Sequence, residues 1–114
     1  MDILQQIYNV TSKRNPAYDE RYLSRRVIKI GEESGEVSEA FLSVTSDSNG
    51  KNKSFTDVRE EAVDTAIVGL DIALTKFPGE EDWDDEKLYA AVEAMIAKKL
   101  SKWKKKLKDK TDIM

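Results

Sequence analysis

The sequence predicts an all-α fold, a small bundle of four-helix type whose core is completed by oligomerisation. Three observations predict it. Apolar residues recur at three- and four-residue intervals along long segments. No segment alternates apolar and polar residues as a half-buried strand would. Breaks fall between those segments, around Pro16, over "SVTSDSNGKNKS" (43–54) and at "FPG" (77–79). The chain has 114 residues, which reads as one domain over 1–114. A domain of this size buries a thin core, so a second copy of the chain is expected to cover part of it.

The first helix is short, about residues 2–10, from "DILQQIYNV". The second runs from about Asp19 to Ser43. At about 100° per residue, Leu23, Val27, Ile30, Val37 and Phe41 share one stripe. Gly31 and Gly35 lie inside it, where each costs roughly 0.5–1 kcal/mol against Ala and leaves room for an approaching backbone or ligand. A polar loop follows, with Asn49-Gly50 as its turn. The third helix is expected from near Asp57 to about Lys76, with Glu60 three residues on as a capping box. The fourth starts near Asp84 or Asp85. Its stripe is Leu88, Val92, Met95, Ile96, Leu100, Trp103 and Leu107, and "TDIM" (111–114) is expected to fray.

Composition removes whole classes of chemistry. There is no cysteine and no histidine, so no disulfide, no usual zinc site and no His-based acid–base or nucleophilic mechanism. No run is apolar and long enough to span a membrane, and residues 1–20 are too charged for a secretory signal; a cytoplasmic protein is the default. The net charge of −3 hides an asymmetry. "GEEDWDDE" (79–86) is almost wholly acidic, whereas "KKLSKWKKKLKDK" (98–110) is strongly basic and suited to phosphates.

The third helix, "REEAVDTAIVGLDIAL" (59–74), is apolar or small over most of its length yet carries Glu61, Asp64 and Asp71. Carboxylates are seldom buried without a partner. The second helix contains "GEESGEVSEAF" (31–41). Glu33 and Glu36 are i, i+3 neighbours on the flank of its apolar stripe, with Lys29 between them in angle and Arg26 beside them. Glu32 and Glu39 lie nearer solvent. Glu61 and Asp64 repeat the i, i+3 spacing. Two antiparallel helices would set these pairs face to face. Four such carboxylates repel and need a counter-charge. Lys29 and Arg26 supply some; a hard divalent cation, Mg²⁺ or Mn²⁺, supplies more and suits oxygen-only ligands. Taken singly, an ExxE is most often a solvated face. Asp57 and Glu60 read as partners of the helix N-terminal dipole. Asp71 is either part of the acidic set or a solvent-facing residue at a dimer edge.

"EESGE" followed by "EEAVD" resembles the EExxE…ExxD signature of the all-α nucleoside triphosphate pyrophosphohydrolases, the MazG-like group related to the dimeric dUTPases. The similarity covers about residues 22–105. "KIGEESGEVSEAF" (29–41) is especially like the first motif helix, and Val63 stands where Gly is frequent in the family. The resemblance implies a MazG-type four-helix fold, a homodimer or homotetramer, and Mg²⁺ held by Glu33, Glu36, Glu61 and Asp64. It implies attack of water on a nucleotide phosphorus, giving the monophosphate and pyrophosphate. Glu32, Glu33 and Glu36 are the candidates for the carboxylate that takes the proton. Lys29, Lys98, Lys99 and Lys102 are the candidates for phosphate contact. No residue announces the nucleobase pocket; Tyr22, Trp83, Tyr89 and Trp103 can each stack, though Trp103 lies on the apolar stripe and reads as core.

Metal-activated water suits a chain without His or Cys better than a covalent enzyme intermediate does. The rival is a non-catalytic helical interaction module that uses the Lys-rich last helix to bind nucleic acid or another partner. The acidic balance and a single interleaved aromatic, Trp103, argue against nucleic acid.

Overall fold

The computed structural model describes residues 2–12, 18–46 and 53–113, the last three by backbone alone. The break expected at Pro16 and the Asn49-Gly50 turn lie outside the described residues. Within them all regular structure is helical: α1 (Ile3–Ser12), α2 (Glu20–Thr45), α3 (Phe55–Ala73) and α4 (Asp85–Ile113). None of these helices is long and apolar enough to cross a membrane. The chain divides into two compact units, Met1–Thr75 and Lys76–Met114.

In the first unit α2 packs along α3, and α1 lies against α3. Asp19 caps α2, its carboxylate accepting from the backbone N–H groups of Arg21 and Tyr22. The cap of α3 differs from expectation. It sits three residues earlier than the Asp57–Glu60 pattern proposed, at Ser54, and Asp57 is the reciprocal partner. Ser54 Oγ accepts from the Asp57 N–H at 3.3 Å, and Asp57 Oδ2 accepts from the Ser54 N–H at 2.7 Å. Hydrogen bonds donated by the Ser54 N–H and hydroxyl hold the Asp57 carboxyl below its ordinary value.

The face that α2 turns to α3 also differs from the expected stripe. Glu33 and Ala40 are its fully buried residues, with Ile30 and Val37 half-buried beside them; Val27 and Phe41 are exposed. The packed face is thus rotated toward Arg26, Glu33 and Ala40, which lie seven residues apart on one line. The rotation lets Arg26 reach α3, where a carboxylate awaits it. On α3, Val68 and Asp71 are buried, while Val63 and Ile67 face outward. Helix three therefore turns charge inward and part of its apolar surface outward. Gly31 and Gly35 face open space, since a Cβ at either would meet nothing within 4 Å. The close approach is at Gly69, where a Cβ would stand 3.4 Å from Ile30 Cδ1.

In the second unit the acidic linker bonds to itself. Glu80 accepts from the Phe77 N–H at 2.9 Å, Glu81 from the Gly79 N–H, and Asp84 from the Lys87 N–H at 2.8 Å, which starts α4 where the sequence placed it. Lys76 pairs with Asp85 at 3.2 Å. Leu88, Tyr89 and Val92 are buried, but Met95, Ile96, Leu100, Trp103 and Leu107 are exposed. The expected core role of Trp103 is not met: it is 64 % exposed. Its stripe continues on a helix that outruns the buried surface. The helix also runs to Ile113, into the segment expected to fray.

Candidate metal centre

The site forms where α2 and α3 face each other. Glu33 from α2 and Glu61 and Asp64 from α3 each bring one carboxylate oxygen within 4.8 Å of the others, a spacing that a single cation can bridge. Glu33 is buried at 6 % exposure, Glu61 is half-buried and Asp64 is exposed, so the cluster opens to one side. The local cause is helical periodicity: Glu61 and Asp64 are i, i+3 on α3, and Glu33 sits on the α2 line that meets them.

The site's electrostatics are uneven. Glu33 is paired with Lys29 at 2.9 Å; the same ammonium stands 3.8 Å from Glu32. The Glu33 carboxylate, and less so Glu32 and Glu36, hold the Lys29 ammonium above its ordinary pKa. Glu61 has no such help. Its Oε2 is buried and accepts no hydrogen bond from any described group. The neighbour that affects it most is another acid, Glu36. Contact with Glu36, then burial, then the charges of Glu36, Asp64 and Glu33 push the Glu61 carboxyl above its ordinary value. Two facing carboxylates can share a proton, but when both are ionised neither offers a donor. A buried acceptor with no donor is costly, and a cation removes that cost.

Next to the cluster is an open cleft of about 410 Å³, lined by Glu36, Glu39, Ala40, Lys53 and Glu61. That volume lies within the usual range for small-molecule sites. Most of its ionisable lining is acidic, so it repels a bare phosphate chain and admits one only with cations.

The sequence-derived candidates fall into three groups. Glu33, Glu61 and Asp64 converge, and Glu36 joins them through Glu61 and the cleft. Glu32 stays on the solvent side, and Lys29 is engaged with Glu33. Lys98, Lys99 and Lys102 lie in the second unit, on the exposed length of α4. Arg26 does not counter the cluster. It pairs with Asp71, Nε to Oδ2 at 2.6 Å, while Tyr22 donates to the same oxygen at 3.0 Å. The Arg26 Nε–H is not aimed along that contact, which is therefore an ion pair rather than a linear hydrogen bond. Asp71, at 4 % exposure, is thus no solvent-facing edge residue. It anchors α3 to α2, and Tyr22 is held there rather than free to stack. Of the other aromatics, Tyr89 is buried and Trp83 lies under the Lys87 ammonium, 4.8 Å from its ring centre. Sequence reasoning missed Lys53, which carries no periodic signal in a polar loop.

Comparisons with protein-family models, with curated proteins and with solved structures found no match.

Proposed function

We propose that the protein is a Mg²⁺-dependent nucleoside triphosphate pyrophosphohydrolase, with Mn²⁺ as an alternative ion, that hydrolyses a (d)NTP to the monophosphate and pyrophosphate. The observation that carries this reading is the buried Glu61 Oε2, orphaned among Glu33, Glu36 and Asp64. The MazG-like motif pattern supports it independently, because it singles out the same four acids. Glu33, Glu61 and Asp64 are the ligands. The donor set is oxygen only, which fits a hard divalent ion. When bound, the ion would neutralise the phosphate oxygens and make a neighbouring water more acidic.

The chain's own residues do the rest. Glu36 faces the cleft beside Glu61 and takes the proton as water oxygen bonds to phosphorus. The phosphorus–oxygen bond to the leaving pyrophosphate breaks, and its electron pair stays on that oxygen. Glu32, more exposed, is the second candidate for the base. Lys29 pairs with Glu33 at 2.9 Å and orients it, which makes it a positioning residue rather than a phosphate contact. Substrate turnover with Mg²⁺ over a panel of triphosphates, resolving monophosphate and pyrophosphate, tests the reading. No hydrolysis of any member, together with no Mg²⁺ effect on melting, overturns it.

The exposed apolar surface supports a homodimer or homotetramer. Ile3, Val10, Val63 and Ile67 line an open apolar groove of about 500 Å³ between α1 and α3. A monomer seldom leaves such patches bare. Light scattering at micromolar concentration decides it; a stable monomer refutes it. A second reading, the non-catalytic interaction module, is favoured by one observation: the bare apolar stripe of α4 beside its lysines. It predicts partner binding without hydrolysis.

A further inference from the structure

Among the described residues, Arg26, Lys29 and Lys53 stand near carboxylates of the first unit, and their states differ. Arg26 is engaged with Asp71 and Lys29 with Glu33. Lys53 takes part in none of the described ion pairs. It nevertheless lines the same cleft as Glu36, Glu39 and Glu61, and among the described residues it is the cation of that lining. Its place is fixed by backbone contacts on both sides. Its own N–H donates to Ser43 Oγ of α2 at 3.3 Å, and the next residue, Ser54, caps α3. A short segment tied to both helices thus brings a lysine to the lining of a cleft whose other ionisable residues are acids.

Beyond a weak attraction to the Asp57 carboxylate, such an arrangement does little for the apo fold. It suits an anion that arrives with its own cations. A polyphosphate bridged to the Glu33–Glu61–Asp64 cluster by a divalent ion keeps unneutralised oxygens. A lysine carries three donors on a four-carbon stem and can follow them. We propose that Lys53 is the residue that grips the phosphate chain of the metal-bound substrate at the mouth of the cleft. The inference rests on the reading of the carboxylates as a cation-dependent triphosphate site. It assigns the phosphate contact to the α2–α3 connection instead of the α4 lysines.

The test separates the two claims by using two probes, Mn²⁺ alone and inorganic tripolyphosphate with Mg²⁺, in titration calorimetry. Wild type, Lys53→Ala and Lys53→Arg are compared, and circular dichroism melting checks that each folds. Lys53→Ala is expected to bind Mn²⁺ as wild type does, or more tightly, because a cation near the acids is gone. Its affinity for tripolyphosphate should fall about tenfold or more, the order of losing a hydrogen bond to a charged group. Lys53→Arg should recover most of that affinity, and on a hydrolysed triphosphate the alanine variant should raise KM more than it lowers kcat. If wild type binds both probes and Lys53→Ala binds tripolyphosphate equally well, the assignment of Lys53 is wrong. If wild type takes up no Mn²⁺, the metal reading fails and this proposal fails with it.

Discussion

Asp71 and Glu61 stand on the same helix and face the same neighbour, yet they are treated in opposite ways. Asp71 is buried and has a counter-charge: Arg26 supplies the charge and Tyr22 a donated hydrogen bond, both on one oxygen. Glu61 has a buried oxygen with no described donor, and its neighbours are three more acids. The first arrangement stabilises by itself. The second destabilises until something positive arrives. A buried carboxylate in an apolar helix thus has two explanations, a structural ion pair or a ligand site, and this helix carries a candidate for each. What separates them is whether the facing helix supplies a cation or another acid at that turn. Arg26 opposite Asp71 and Glu36 opposite Glu61, both on α2, make that choice.

The largest effect should come from breaking the answered acid. Asp71→Ala leaves Arg26 and Tyr22 without their partner in a packed interface. Loss of one member of a buried pair typically costs about 3–5 kcal/mol. Arg26 is partly exposed, so the lower end is expected, near 3 kcal/mol, read from urea unfolding without metal. If the variant unfolds at the wild-type midpoint, the contrast between the two acids collapses.

Asp64→Asn should do the reverse. It removes one charge from the unanswered cluster while keeping its shape. The metal-free protein should be as stable as wild type or more so, Mg²⁺ should stabilise it less, and turnover should fall at least ~10²-fold, the order seen when an electrostatic transition-state contact is lost. A variant that melts well below wild type without metal, and retains full activity, would show that Asp64 is structural and not a ligand.

How far the sequence carried this distinction follows from the physics of each residue. The i, i+3 spacing of Glu33–Glu36 and Glu61–Asp64 is readable because helical periodicity alone puts each pair on one face. The four helices and the start of α4 at Asp85 were readable for the same reason. The pairing of Asp71 was not, because it depends on which way α2 rotates, and the apolar stripe of α2 pointed toward Val27 and Phe41 instead. The Arg26–Asp71 ion pair lies on the packed face, and Val27 and Phe41 are left exposed. The α4 stripe misled differently: periodicity says that Met95, Leu100 and Trp103 share a face, but not that anything within the chain covers it. Lys53 was invisible because a loop residue gains its position from the anchors on either side.

A smaller effect separates the two ends of α3. The box formed by Ser54 and Asp57 fixes the first turns, from which Glu61 and Asp64 project, whereas Arg26 and Tyr22 fix the other end. Ser54→Ala should cost about 1 kcal/mol. Amide hydrogen exchange should quicken in the first two turns of α3 more than around Asp71. Uniform quickening along the helix would mean that the ends are not independently held.

The smallest effect is a pH dependence, and its sign is diagnostic. Glu61 is raised above 4.5 in the folded chain, chiefly by its contact with Glu36 and then by burial. The folded state therefore holds a proton that the unfolded state has already released. Just above pH 4.5 the folded chain binds more protons, so stability is full below that value and falls as pH rises through the raised Glu61 range. Asp57 and Glu81 act oppositely. Their carboxyls are lowered by hydrogen bonds from Ser54 and Gly79, so their contributions are in place above the ordinary values and are lost only toward acid. The windows do not coincide, which lets Glu61 be isolated. In a chelator, melting temperatures of wild type and Glu61→Gln are compared from pH ~4 to ~8. Wild type should lose ground to the variant as pH rises through the first part of that range and run parallel to it afterwards. Adding Mg²⁺ should reverse the loss in wild type alone, because the ion displaces the shared proton and takes its place. Parallel curves throughout would mean that Glu61 has found a donor, and that the two acids of α3 are not opposites after all.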